Sequence, residues 1–256
     1  MLLVLDVGNT QIFGAVWQQD KIVLRFRKSS RDQPSSDECG LFLKATLREN
    51  GISPEHIKHI VMASVVPNLN HTIASACIKY FQLRPLILEP GVETGLKILI
   101  YNPQELGADR IANAVGATWL YPNQNLVVFD FGTANTACII TRDKEYIGGM
   151  IAPGLRLMME VLEQKTAKLP TVEIKVPGGM SGKNSIEQIQ AGIYYSTLGM
   201  AREFIKHVAE HEFKQQEFLV LGTGGFARLY EQAGIFDQFE PDLILHGLRR
   251  VFELNQ

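Results

Sequence analysis

Two segments of this 256-residue chain carry the same pattern, and that repetition constrains the fold more than any other feature. The N-terminus reads Leu2-Leu3-Val4-Leu5-Asp6-Val7-Gly8-Asn9-Thr10, and the middle reads Leu126-Val127-Val128-Phe129-Asp130-Phe131-Gly132-Thr133-Ala134. Each is an apolar strand that ends in Asp-x-Gly with small polar residues after it. Each continues into a second β-rich run (Ile12 to Trp17; Thr136 to Thr141) and then a polar turn (Gln18 to Lys21; Arg142 to Glu145). The two copies align without a gap through strand, turn, strand and turn. Such a duplication predicts two related α/β lobes, each aiming an acidic hairpin at a shared cleft.

A hairpin of this composition suits phosphate chemistry. Glycine permits a tight turn and brings amide N–H groups close to phosphate oxygens. Thr10 and Thr133 add hydroxyl donors, and the carboxylates of Asp6 and Asp130 can hold a hydrated cation nearby. The same residue types also build plain turns, so one copy alone carries little weight; two copies in matching context carry more. Neither copy is a Walker loop, which ends in Gly-Lys-Ser/Thr, nor the Gly-x-Gly-x-x-Gly dinucleotide fingerprint.

Strand–helix alternation runs through both halves and favours an α/β layered fold. Strands are predicted at Leu2–Asp6, Ile12–Trp17 and Ile22–Arg27, followed by a helix ending near Asn50-Gly51. His59 to Val66 reads as a buried strand stopped by Pro67, and Asn70 to Phe81 as a helix. In the second half, Gly148-Gly149-Met150-Ile151-Ala152-Pro153-Gly154 hands a strand over to a helix from Leu155 to about Gln164. That handover is either an anion site or a plain turn. An irregular stretch then covers 169–182, a long helix Ser185 to His211, and a strand runs from Phe218 into Gly222-Thr223-Gly224-Gly225 and a further helix.

A hydrophobic content of 46% with 20% charged residues is that of a globular chain, and a net charge of −2 provides no electrostatic case for nucleic acid or an anionic membrane. Cys39, Cys77 and Cys138 are scattered and odd in number, which fits buried free thiols in a reducing compartment rather than a disulfide framework or zinc site. No stretch approaches membrane-spanning length, and the expected location is the cytoplasm. His207 and His211 stand one helical turn apart, but without a third ligand they read as solvated helix-face residues.

Between the hairpins lies Gly107-Ala108-Asp109-Arg110, at the start of a small-residue helical pattern that continues from Ile111. Asp109 is either a helix-start carboxylate with Arg110 as a surface partner, or a base that takes a proton from an alcohol beside an anion-binding guanidinium. A kinase needs both functions next to its phosphate cradle.

Taken together, these residues resemble type III pantothenate kinase, a member of the acetate kinase/sugar kinase/Hsp70/actin superfamily, over essentially the whole chain. The resemblance rests on Asp6 to Thr10, Asp130 to Ala134, Gly107 to Arg110, Gly148 to Gly154 and Gly222 to Gly225. It implies an α/β fold of two duplicated ribonuclease-H-like (actin-like ATPase) lobes around a nucleotide cleft, placed at residues 1–115 and 116–256. It implies ATP-dependent phosphorylation of pantothenate to 4'-phosphopantothenate, the first step of coenzyme A biosynthesis. Asp109 matches the general base, and Gly107, Ala108, Asp109, Arg110 and Ser185 the substrate-binding residues. ATP is expected at Asp6, Val7, Gly8, Asn9, Thr10, Gln11, Ile12, Phe13 and Thr133, with Mg2+. A monovalent cation (K+ or NH4+) is expected at Asp130, and the chain is expected to be a homodimer. Two positions depart from the family pattern: Asn135 stands where threonine is usual, and Ile100 where tyrosine is common, with Tyr101 one place later. At a third, Ser185 keeps the hydroxyl of a usual threonine.

Two alternatives share the fold: a kinase acting on another small alcohol or a carboxylate, and a nucleotide-binding regulatory accessory protein without kinase activity. The Asp109–Arg110 pair argues against the second, since a switch requires no alcohol-activating base.

Overall fold

The structure, a computed structural model, describes residues 1–31 and 33–256. The chain divides into two compact units, one formed by Met1–Leu96, Tyr101–Leu120 and Leu243–Gln256, the other by Lys97–Ile100 and Tyr121–Asp242.

In the first unit, β1 (Leu2–Val7), β2 (Gln11–Gln18) and β3 (Lys21–Ser29) form an antiparallel meander. After α1 (Ser36–Glu49), β4 (His59–Ser64) runs parallel to β1; α2 (Pro67–Phe81) and the short β5 (Leu86–Ile87) follow. The sheet order is β3-β2-β1-β4-β5. Alternation along β1 assigns the two faces: Leu3, Leu5 and Val7 meet α1 and α2, while Leu2 and Val4 meet a second helical layer. That second layer is α3 (Ala108–Leu120) and the C-terminal α6 (Leu243–Leu254). Ser35 caps α1 in a reciprocal arrangement with Glu38, and the chain leaves the helix at Asn50. Pro67, expected to stop a strand, also opens α2 at its first turn, where a missing N–H is harmless.

The second unit repeats the meander. Here β6 (Lys97–Ile98) pairs with β9 (Glu145–Pro153), which follows β7 (Leu126–Phe131) and β8 (Ala134–Ile140). With β10 (Leu219–Thr223) and β11 (Gln238–Phe239) the order is β11-β10-β7-β8-β9-β6. Helices α4 (Leu155–Lys165) and α5 (Ser185–His207) pack on the face that carries Val127, Phe129 and Phe131. The long helix expected to reach His211 ends as α-helix at His207 and finishes in a π-helical turn over Val208–Glu212. The helix expected after the glycine loop is a 3₁₀ segment, Ala227–Ala233, closed by Gly234 in the left-handed region.

The duplication is real in space but differs from the ungapped alignment. Gly8, Asn9 and Thr10 link β1 to β2, whereas only Gly132 and Thr133 link β7 to β8. Val7 therefore faces Ile12 and Phe131 faces Asn135, so Ile12 corresponds to Asn135 and not to Thr136. The following turn compensates, with Gln19 and Asp20 between a Gln18–Lys21 pair in one copy and Arg142 to Lys144 inside a Thr141–Glu145 pair in the other. The middle strand is thus displaced by one residue while its neighbours stay in step. Both third strands then carry the same bulge, with Val23 and Ile147 as the extra residues.

Candidate active site

In the first unit the hairpin follows the end of β1, beside the parallel strand β4. Carboxyl ends of parallel strands are where open α/β sheets receive ligands. The turn is closed by Gly8 N–H donating to the Gln11 carbonyl (3.1 Å) and Ser30 N–H donating to the Thr10 carbonyl (3.1 Å). Asn9 is exposed, and Asp6, Thr10 and Gln11 are partly exposed. Val7, Ile12 and Phe13 are different: their side chains are buried, at 0%, 4% and 7% exposure, so their only route to a nucleotide is through the backbone.

Val65 ties this hairpin to the acid–base segment. Its N–H donates to the Val7 carbonyl (3.1 Å), extending the β1–β4 ladder past Ser64. Its side chain also stands 3.6 Å from the point where a Cβ on Gly107 would lie. Asp109 is in the first turn of α3, and its Oδ1 accepts from the Arg110 N–H (2.7 Å). A Cβ on Gly107 would come within 2.5 Å of that same oxygen, so the carboxylate folds back into space that only glycine leaves open. Burial pushes the Asp109 carboxyl above the ordinary aspartate range; the Arg110 amide and guanidinium offset this only in part. Ala108 and Arg110 are partly buried beside it, and Tyr101 is fully exposed.

In the second unit the hairpin is closed in the same manner. Gly132 N–H donates to the Ala134 carbonyl and Gly154 N–H to the Thr133 carbonyl, both at 3.1 Å. These bonds match those of Gly8 and Ser30, which makes Thr133 the true counterpart of Thr10. Gly154 is required here: a Cβ would strike the carbonyl oxygens of Gly132 and Thr133. The first copy carries Ser30 at this place, in a hairpin one residue longer. The Thr133 side chain is exposed and Asp130 partly buried. Phe226 N–H donates to the Phe131 carbonyl (3.0 Å), which lays the Gly222 to Gly225 loop on the hairpin, and Thr223 lies beside Asp130 in the parallel β7–β10 register.

Ser185 is the first residue of α5, exposed, and lines an apolar groove of about 650 Å³ with Pro153 and Leu157. The three cysteines are buried free thiols. Sequence reasoning missed Ser30 and Val65. Ser30 was findable by carrying Gly154 back through the duplication; Val65 gave no signal, because its role is set by contacts distant in sequence.

Among the described residues no group of three or more His, Cys, Asp or Glu side chains is arranged to hold a metal ion. Carboxylates and hydroxyls at the hairpins are hard oxygen donors that match Mg2+ or an alkali cation in type. A Mg2+ there would complete its shell from substrate phosphates and water, its usual habit.

Comparison with known proteins agrees with this geometry. Among solved structures, the activator of 2-hydroxyisocaproyl-CoA dehydratase from Clostridium difficile, with bound ADPNP, is similar at TM-score 0.55 and 14% identity, covering 99% of this chain and 94% of that one. Component A of (R)-2-hydroxyglutaryl-CoA dehydratase from Acidaminococcus fermentans is similar at TM-score 0.52 and 12% identity, covering 100% and 99%. Such likenesses show the fold alone, that of actin-like ATPases and sugar kinases. Sequence relatives reach further. The type III pantothenate kinase of Legionella pneumophila (strain Paris) is 49% identical over 255 residues, 100% of this chain and 99% of the relative. That of Elusimicrobium minutum is 46% identical over 256 residues, again covering 100% and 99%. The family model for type III pantothenate kinase matches residues 2–207. With a family match across most of its length, full-length relatives and the duplicated hairpins in place, this chain belongs to the type III pantothenate kinase family.

Proposed function

We propose that this chain transfers the γ-phosphoryl group of ATP to the primary alcohol of pantothenate, the entry step of coenzyme A biosynthesis. The observation that carries this reading is Asp109: a partly buried carboxylate with a raised proton affinity, held at a helix start beside the first hairpin. Asp109 accepts the hydroxyl proton as the alcohol oxygen attacks phosphorus, and the Arg110 guanidinium holds an anionic group of substrate or the developing charge. Within the first unit, the remaining backbone amides of the Gly8–Gln11 turn and the Thr10 hydroxyl are the proposed donors to phosphate oxygens, and the Thr133 hydroxyl is the proposed donor of the second unit. Bound Mg2+ supplies charge neutralisation on the phosphates. Asp130 is the proposed seat of a monovalent cation, K+ or NH4+, and Ser185 a proposed hydroxyl contact to pantothenate.

We further propose a homodimer. The groove along α4 and α5 is strongly apolar, and Leu157, Val161 and Ile186 on or beside it are 40%, 49% and 49% exposed. Exposed apolar surface of that kind marks an interaction site, and the proposed occupant is a second copy covering the same face. No helix among the described residues is long and apolar enough to cross a membrane, and the free thiols suit the reducing cytoplasm, which is the proposed location.

The test is ADP release from ATP and Mg2+ with and without pantothenate, in potassium and then in sodium buffer. Pantothenate-dependent turnover that requires potassium supports both the reaction and the cation seat. ATP binding without turnover on pantothenate points to another acceptor or to the accessory role, and a panel of small alcohols separates the two.

A further inference from the structure

We propose that Asn135 is a positioning residue that sets the shape of the second phosphate hairpin; the inference rests on the phosphoryl-transfer reading above. Asn135 is the cross-strand partner of Phe131 and so stands on the opposite face of the sheet from Asp130 and Thr136. It is buried, at 1% exposure, and is not placed to touch a nucleotide at the hairpin. Its Nδ2 donates to the Pro153 carbonyl at 3.0 Å.

The Pro153 carbonyl and the Gly154 N–H belong to one planar peptide unit. Asn135 grips the carbonyl end, and the N–H end donates to the Thr133 carbonyl at 3.1 Å. Rotating that peptide breaks both bonds together, so the side chain of Asn135 fixes the carbonyl of Thr133 through a rigid plane. Thr133 in turn sits between Gly132 and Ala134, whose own bond closes the turn. These three bonds frame the hairpin, and Asn135 enters the frame through its side chain.

The duplication supplies the contrast. Ile12 stands at the matching place in the first copy, buried in an ordinary apolar core, and its hydrocarbon side chain has no donor to offer beside the corresponding bond from Ser30 to Thr10. Asn135 also buries its Oδ1 with no hydrogen-bond partner among the described residues. A buried, unmatched carbonyl is unfavourable, so an apolar residue would serve stability better at this place. The amide is explained by what its donor does to the hairpin: it holds the peptide whose N–H reaches the Thr133 carbonyl.

The test compares Asn135→Val with Asn135→Thr. Both are β-branched and suited to a strand, and they differ by one hydroxyl donor. Melting temperature, calorimetric affinity for AMPPNP, and kcat and KM for ATP and pantothenate are measured on the full chain. Asn135→Val is expected to melt at or above the parent temperature while its AMPPNP affinity weakens and its KM for ATP rises, each by about tenfold, the worth of one hydrogen bond. KM for pantothenate is expected to stay in place, and Asn135→Thr to recover part of the nucleotide affinity. The proposal is overturned if Asn135→Val binds AMPPNP like the parent, or if both variants lose affinity equally. Should the valine variant not fold, Asn135→Ala against Asn135→Ser poses the same comparison. Because AMPPNP binding is read directly, a parent protein that binds it but ignores pantothenate would sink the substrate assignment and leave this test standing.

Discussion

Asp109 and Gly107 share one small volume: the carboxylate oxygen that accepts the Arg110 amide lies 2.5 Å from where a side chain on Gly107 would begin. Gly107→Ala must therefore move either the carboxylate or the turn that opens α3. Turnover is expected to fall by about 10²-fold, the usual cost of a misplacement near 1 Å, while the protein stays folded. Parallel measurement of kcat and melting temperature checks this. A variant with parent-like kcat would mean that the carboxylate position is not used in the reaction.

Replacing the carboxyl itself separates chemistry from binding. Asp109→Asn is expected to reduce kcat by about 10²–10⁴-fold, the range of general-base contributions, with AMPPNP affinity unchanged. The acid limb of the kcat/KM profile should lie above pH 3.8, the ordinary aspartate value, because burial raises the folded carboxyl. The sign for stability follows from the same shift. The folded state binds this proton more tightly than the unfolded state, so the carboxyl opposes folding increasingly as pH rises from the unfolded to the folded pKa. Asp109→Asn should consequently melt at or above the parent temperature at neutral pH, with the difference vanishing in acid.

The two hairpins should respond differently to equivalent changes. Gly154→Ala drives a methyl into the carbonyls of Gly132 and Thr133, and a loss of about 1–3 kcal/mol with a raised KM for ATP is expected. Ser30→Ala, at the matching place, removes a buried hydroxyl that has no partner among the described residues and should be neutral or slightly stabilising. Chemical denaturation of both variants tests the pair. Equal destabilisation would mean that the one-residue difference between the hairpins has no structural consequence.

Helix α6 carries a disproportionate share of the first unit. Leu245, Leu248 and Val251 are fully buried against residues of β1, β2, β4 and α3. Leu248→Ala should cost about 2–5 kcal/mol, and denaturant unfolding measures it. Protease cleavage confined to residues from Leu243 onward, with activity retained, would show instead that the helix is dispensable.

The α4–α5 groove offers a last test. Val161→Glu places a charge on its apolar wall and should convert the proposed dimer to a monomer in light scattering at micromolar concentration. A parent protein that is already monomeric there would rule out the dimer.

The chain alone determined the kinds of element and roughly where they lie. The apolar runs from Leu2 to Leu5 and from Leu126 to Phe129, the Asn50-Gly51 stop and the Pro153-Gly154 handover are local patterns that backbone geometry reads directly, and the repeated Asp-x-Gly announced a duplicated architecture. What it could not determine was register. Shortening one hairpin and lengthening the next turn leaves the count of residues unchanged, so Ile12 fell opposite Thr136 on paper and stands with Asn135 in the molecule. Strand side chains alternate faces at every residue, so that single step decides which hydroxyl answers Thr10 and which amide lies buried. Long-range packing made the remaining decisions: Val65 bridging β1 and Gly107, and α6 returning to the core that the first residues began. Each depends on cross-strand bonds and burial between residues far apart in the chain, and those arise only once the whole chain has folded.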